Sequence, residues 1–356
     1  MYTVGMAKEE GRHQTLYRQY RPATFAEVRG QEHVVKTLQS AIKNKKTAHA
    51  YLFSGGRGTG KTTVARILAK ELGVNDSDLY EIDAASNRGI DDIRALREGV
   101  HTAPFESPYK FYIIDEAHML TKEAWNALLK TIEEPPAHAI FVLATTERDK
   151  VPETIQSRCE VYTFKQPTRE MLAETVGDVA KHEGFKLERA AAELVALLAE
   201  GSFRDALSIL QKVLAVSSDK TINVAEVEMV SGAPRGEFIR TILKAISEKN
   251  APDALAAIHK ADEENFDMRM LVKLLIHRMR VILLMRFAPP MAEVLSKELT
   301  EADLELAKAI SKNPGVTSET MRALLEANSR MAYAAVPALP LELAVLEICG
   351  NGNKSA

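Results

Sequence analysis

Apolar and polar positions change their rhythm twice along the chain, and the changes divide it into three stretches. From Leu16 to about Phe164, short continuous apolar runs alternate with segments of helical period. The apolar runs at 50–54 and 111–114 read as strands, 139–143 as a strand of the fully buried type, and 79–83 and 160–164 as two more. Between them, Val64, Ile67, Leu68 and Leu72 recur on one face of a helix predicted over 61–72. A second helix, containing 125–132, must stop at Pro135-Pro136, because proline has no N–H to continue it. Buried strands alternating with helices predict a parallel sheet covered on both sides, an α/β fold. From Thr168 to about Val230 everything reads as helical, with helices at 169–182, 190–200 and 203–214 broken at Gly184 and Gly201. From Ser231 to Ile348 the pattern is again helical, with Met270, Leu271, Leu274, Leu275, Met279 and Leu283 on long apolar faces. Pro314-Gly315 and Pro337/Pro340 mark turns there, as does Pro289-Pro290. The expected organisation is a tail at 1–15, a nucleotide-binding domain at 16–166, a small helical domain at 167–230, a helical domain at 231–349 and a tail at 350–356.

Composition narrows the classes. With 356 residues, 46% of them hydrophobic, the chain can bury two or three cores. A net charge of −3 argues against a protein basic throughout but leaves room for a local basic patch. Two widely separated cysteines, Cys159 and Cys349, give neither a disulfide framework nor a metal knuckle and fit a reducing cytosol. No apolar run reaches the roughly 18–20 residues of a membrane span, and the polar N-terminal residues do not read as a signal peptide.

The chemistry starts at Gly55-Gly56-Arg57-Gly58-Thr59-Gly60-Lys61-Thr62, a complete GxxxxGK[ST] loop between a strand and a helix. Its backbone N–H groups and the helix N-terminus attract phosphate. Lys61 is expected to bridge the β- and γ-phosphates, Thr62 to ligate Mg²⁺, and Thr63 to line the same site. Asp115-Glu116 ends the apolar strand 111–114, where a Walker B pair belongs. Asp115 would hold Mg²⁺ and Glu116 would orient and deprotonate water. His118 follows closely and reads as an exposed structural histidine.

Further segments carry a resemblance. They are Tyr17-Arg18-Gln19-Tyr20-Arg21-Pro22, Val28-Arg29-Gly30-Gln31, Glu81-Ile82-Asp83-Ala84-Ala85-Ser86-Asn87, Asn126-Ala127-Leu128-Leu129-Lys130, Glu133-Glu134-Pro135-Pro136, Ala144-Thr145-Thr146, Ser157-Arg158-Cys159 and Gly201-Ser202-Phe203-Arg204-Asp205. As a set they resemble the clamp-loader branch of the AAA+ ATPases, and in particular bacterial DNA polymerase III gamma/tau subunits, over about Leu16–Val230. The resemblance implies a helical lid at 167–230 and an oligomerising collar at 231–349. It implies an adenine pocket of Tyr20, Arg21, Pro22, Val28 and Gln31. Thr145 would be sensor 1, Arg204 sensor 2, and Arg158 an arginine finger reaching a neighbour's ATP. DNA contacts would come from Arg94, Lys130 and Thr154, with Arg88 a weaker candidate. The implied activity is ATP hydrolysis that loads a sliding clamp onto primer–template DNA. The implied partners are other clamp-loader subunits or further copies of this chain, together with the sliding clamp and primer–template DNA, in the bacterial cytoplasm at the replisome, with no membrane.

The sequence departs from that family in two ways. A four-cysteine zinc module usually follows the P-loop helix; here residues 69–75 run almost directly to Glu81 without a cysteine. No structural zinc is expected. The long tau-type extension is also missing, so a gamma-like core is expected. Competing readings are a replication factor C-like small subunit, a branch-migration helicase, and a binding scaffold without turnover. Intact Lys61, Thr62, Asp115 and Glu116 oppose the last.

Overall fold

A computed structural model describes residues 14–291 and 299–350. The tails expected at 1–15 and 350–356 lie outside these, apart from residues 14, 15 and 350. Five strands, β1 (Ala50–Ser54), β2 (Leu79–Asp83), β3 (Lys110–Asp115), β4 (Ala139–Thr145) and β5 (Glu160–Thr163), form one parallel sheet in the order β2-β3-β4-β1-β5. The helices of this part are α1 (Leu16–Gln19), α2 (Glu32–Lys43), α3 (Lys61–Glu71), α4 (Ile90–Val100), α5 (Lys122–Glu133), α6 (Glu153–Gln156) and α7 (Arg169–His182). After them come α8 (Arg189–Leu198) and α9 (Phe203–Val216).

The inner strands β1, β3 and β4 are apolar along most of their length because both faces of the sheet are covered there, whereas the edge strands β2 and β5 are largely exposed. Tyr51, Phe53, Phe111, Ile113, Ile140 and Val142 pack with Val34 and Leu38 of α2 and Val64, Ile67 and Leu68 of α3. The alternate residues Leu52, Tyr112, Ile114, Phe141 and Leu143 pack with Ile93 and Leu96 of α4 and Trp125, Leu128 and Ile132 of α5. In such a sheet the ligand edge lies at the C-terminal strand ends. There the register sets Ser54 of β1 against Thr145 of β4 and Asp83 of β2 against Asp115 of β3.

By contacts the chain divides into two compact units. Of the described residues, one holds those up to Val179 together with Ala196–Gln211; the other holds Ala180–Val195 and those from Lys212 onward. Two findings in the second unit depart from the sequence expectation. The stretch 168–230 is not wholly helical: β6 (Lys186–Leu187) and β7 (Thr221–Ile222) pair in parallel. Pro340 does not break structure either. It occupies the first turn of a helix, where the missing N–H has no partner to lose. Pro314-Gly315 does form a turn.

Among the described residues there follow α10 (Val224–Ser231), α11 (Gly236–Ser247), α12 (Ala251–Glu263), α13 (Met268–Phe287), α14 (Glu301–Ser311), α15 (Ser318–Arg330) and α16 (Leu339–Gly350). α11 pairs with α12, and α13 packs on α14 and α15. The apolar face of α13 supplies the buried residues Leu271, Leu274, Leu275 and Met279. Asp303 on α14 is buried and takes ion pairs from Arg240 on α11 at 3.2 Å and Arg278 on α13 at 2.8 Å. Nearby, burial pushes the Glu228 carboxyl upward, against a hydrogen bond from the Gly236 N–H.

Candidate nucleotide site

The loop between β1 and α3 is held open by its glycines. Gly58 has φ +67°, and a Cβ there would run into the Ser202 side chain. Gly55 has φ +151°, and a Cβ would come within 2.5 Å of the Phe164 carbonyl oxygen. Both positions therefore need glycine, for backbone conformation and for space. The Gly55 N–H donates to the Thr145 carbonyl at 3.2 Å, which ties the loop to the end of β4.

Lys61 opens α3 and is only 6% exposed. Its ammonium donates to the carbonyls of Gly55 at 2.9 Å and Gly56 at 2.8 Å. Burial lowers its pKa, opposed by Glu116 and then Asp115. The Thr62 hydroxyl donates to Asp115 Oδ2 at 2.8 Å, and the Glu116 N–H donates to Asp115 Oδ1 at 3.0 Å. Thr62 and Asp115 thus place hard oxygen donors together at a helix N-terminus, a donor set that suits Mg²⁺. Thr63 is half-buried, Thr59 is buried, and Arg57 is exposed on the loop.

Glu116 has a left-handed backbone, with φ 48°. For a residue with a Cβ this is strained, and such strain gathers at functional sites. Thr146 donates to the Glu116 carboxylate at 3.2 Å. Thr145 is fully buried at the end of β4. His118 was expected to be exposed and isolated, and the structure corrects this: its side chain is 7% exposed and lies between Glu116, Thr145 and Glu147.

Gln31 is buried and spends its amide on backbone. It donates to Lys165 O at 2.7 Å and Thr59 O at 3.5 Å, and it accepts from the Lys165 N–H at 3.1 Å. Tyr20, Arg21, Pro22 and Val28 are half-buried. Burial and then the neighbouring Arg66 depress the Arg21 pKa; Glu81 opposes, and Arg204 and Arg18 add to the lowering. The one acid in that group, Glu81, is already paired with Arg66. The surplus of guanidinium groups favours an anion.

Arg204 lies in the first turn of α9, over the Tyr17 ring at 4.9 Å from its centroid. The α9 N-terminus meets the P-loop directly. Ser202 Oγ accepts from the Asp205 N–H at 3.1 Å, and the Phe203 N–H donates to Gly58 O at 3.1 Å. Sequence reasoning assigned Ser202 no role beyond its place in Gly201-Ser202-Phe203-Arg204-Asp205 and did not point to Gln166 at all. Yet the Gln166 side chain lies against both Gly56 and Gly201, within 3.2 Å of where a Cβ would stand on either.

Arg158 lies apart from this group. It pairs with Glu133 at 2.6 Å and donates to Thr154 O at 2.6 Å, with its side chain 38% exposed. The adjacent Cys159 packs against the core, and burial pushes its thiol to about 12, so it anchors the segment and is inert as a nucleophile. Arg94, Lys130 and Thr154 are carried by α4, α5 and α6, and α5 packs on both of the others. Arg94 is paired with Asp91 at 3.2 Å; Lys130, Thr154 and Arg88 are exposed.

Residues 30–87 and 74–168 match the family described as DNA polymerase III, delta subunit, and residues 172–219 match the DNA polymerase III clamp loader subunit, ATPase lid domain. DNA polymerase III subunit tau of Bacillus subtilis is 39% identical over 97% of this chain and 64% of its own length. The Escherichia coli tau subunit is 35% identical over 94% of this chain and 55% of its own. The gamma/tau subunit of Mycobacterium tuberculosis is 39% identical, covering 78% and 52%. The chain therefore spans between about half and two thirds of these relatives. Among solved structures, the RuvB Holliday junction branch migration motor of Thermotoga maritima has a TM-score of 0.51 at 28% identity, covering 64% of this chain and 79% of that one.

Proposed function

Because this chain belongs to the gamma/tau family of bacterial DNA polymerase III, as its similarity along 97% of its length establishes, we propose that it is an ATP-hydrolysing motor subunit that loads a sliding clamp onto primed DNA. One observation carries the reading. The ends of β1, β3 and β4 bring Lys61, Thr62, Asp115, Glu116 and Thr145 together beneath a glycine loop and two helix N-termini.

In this reading the ATP phosphates lie along the N–H groups of residues 55–62, and Lys61 exchanges the Gly55 and Gly56 carbonyls for phosphate oxygens. Thr62 and Asp115 would hold Mg²⁺, which would supply charge neutralisation at the phosphates. Glu116 orients water, and Thr145 and Arg204 answer to the terminal phosphate. Tyr20, Arg21, Pro22 and Val28 border the adenine, and Gln31 fixes the wall behind it. Arg158, turned to Glu133 and away from its own P-loop, serves a neighbouring subunit. The helical part, 231–349, supplies the collar. Leu339, Leu343 and Leu346 of α16, each more than two-fifths exposed at helical spacing, support an apolar face for neighbours. Arg94, Lys130, Thr154 and Arg88 contact DNA backbone. The complex works in the bacterial cytoplasm; among the described residues no helix is long and apolar enough to cross a membrane.

The likeness to a branch-migration motor covers 64% of the chain, whereas the likeness to tau runs through the last helices as well, which favours the clamp-loader reading. Mixing two inactive variants tests the shared site. Lys61→Ala and Arg158→Ala each lower turnover by about 10³-fold or more. Mixed assemblies regain part of it, since some interfaces then pair an intact P-loop with an intact Arg158. No recovery, with assembly preserved, would refute action in trans.

A further inference from the structure

We propose that His118 is a positioning residue that couples Glu116 to Thr145, so that the group orienting water and the group at the end of β4 keep one geometry. The proposal rests on the reading of this site as an ATP-hydrolysing centre. His118 sits in the short turn Ala117–Met119, immediately after the left-handed Glu116. That backbone turn carries the chain back across the end of β4. Nδ1 of His118 lies 3.1 Å from Thr145 Oγ1 and the ring lies 3.5 Å from the Glu116 carboxylate. Nε2 lies 3.2 Å from Glu147 Oε1. Glu147 closes the circuit: its N–H donates to Thr145 Oγ1 at 3.0 Å, and its carboxylate pairs with Lys150 at 2.9 Å. The groups facing the ring are therefore Glu116, Glu147 and Thr145, with Lys150 behind Glu147.

This differs from the way the same molecule uses histidine for structure. His138 Nε2 meets the Val100 carbonyl at 2.9 Å, and His33 Nε2 meets the Thr163 carbonyl at 2.9 Å. Each of those rings satisfies a backbone group. His118 instead meets side chains only, two carboxylates and one hydroxyl, at the strand ends where the phosphate site is built. A ring fixed on both sides holds its partners in one rotamer, which is how a supporting contact sets catalytic geometry.

The test measures turnover and nucleotide affinity in whatever assembly gives the wild-type chain its full ATPase rate. His118→Ala should lower kcat by about tenfold or more, while KM for ATP and the affinity for ADP stay within about twofold. Combining it with Thr145→Val should cost no more than the worse single change, because both remove one coupled contact. His118→Asn, which can still reach Thr145 but not Glu147, should fall between wild type and alanine, and it stands in if the alanine variant does not fold. Unchanged kcat in a folded variant would overturn the proposal. So would additive losses accompanied by falling ADP affinity and melting temperature. Glu116→Gln separates the two levels. If it retains full turnover, the hydrolytic reading of the site fails; if it is inactive while His118→Ala is not, only the role of His118 fails.

Discussion

Asp78 shows how much a single buried group can fix. It is fully buried and accepts the backbone N–H groups of Phe105, Glu106 and Ser107 at 2.7, 2.9 and 2.9 Å. Burial alone would raise its carboxyl, but these bonds outweigh it and hold the pKa at about 2. A depressed carboxylate stabilises the fold above its unfolded pKa, near 4, and that contribution disappears as pH falls toward 2. Asp78→Asn should cost roughly 1–2 kcal/mol at pH 7, a difference that narrows below about pH 4. Urea melts followed by the fluorescence of the single tryptophan, buried Trp125, would measure it. The P-loop and the Asp115-Glu116 pair were legible in the sequence because each is a contiguous word set against a strand. His118 was not, because its partners Thr145 and Glu147 lie 27 and 29 residues onward and meet it only after β4 is in place. Gln31 was picked out by resemblance, but its bonds to backbone at Thr59 and Lys165 leave no trace in residue type.

At the scale of elements, β1, β3 and β4 were readable because each is built on an apolar run, while the edge strands β2 and β5 mix charged with apolar residues and are largely exposed. The ladder of Lys186–Leu187 with Thr221–Ile222 was not readable, since two residues are too few to display a period. The contact between α9 and the P-loop was equally hidden, because it is made by backbone, Phe203 N–H to Gly58 O, and by the fit of Ser202 on a glycine. That contact can be tested. Gly58→Ala places a Cβ on a residue with φ +67° and into Ser202. The left-handed conformation alone costs about 1–2 kcal/mol, and the collision must also push α9 off the loop. ATP affinity should fall at least about tenfold, with the circular dichroism spectrum retained. Equal affinity in the variant would mean that α9 does not need to rest on the loop.

At the scale of the molecule, the two compact units rely on different forces. The first is a sheet with an apolar layer on each side. The second is mostly helical and carries a partly buried ion-pair network, Arg240 and Arg278 on Asp303. Removing the shared acid takes a buried carboxylate from two guanidinium groups, so Asp303→Ala should destabilise that unit by up to about 3 kcal/mol. Limited proteolysis of the variant should then cut the helical part first and leave the P-loop unit intact. The helical class of this region was legible from its periodicity, but the network was not, because its three members come from α11, α13 and α14. The central claim, a motor governed by clamp and DNA, is tested most directly by the ATPase rate of the chain assembled with its partner subunits. The rate is measured alone, with clamp, with primed DNA, and with both. The account predicts the highest turnover with clamp and primed DNA together, and loss of that stimulation in Lys61→Ala and in Arg158→Ala. A rate indifferent to the clamp in a fully assembled, ATP-binding complex would contradict it.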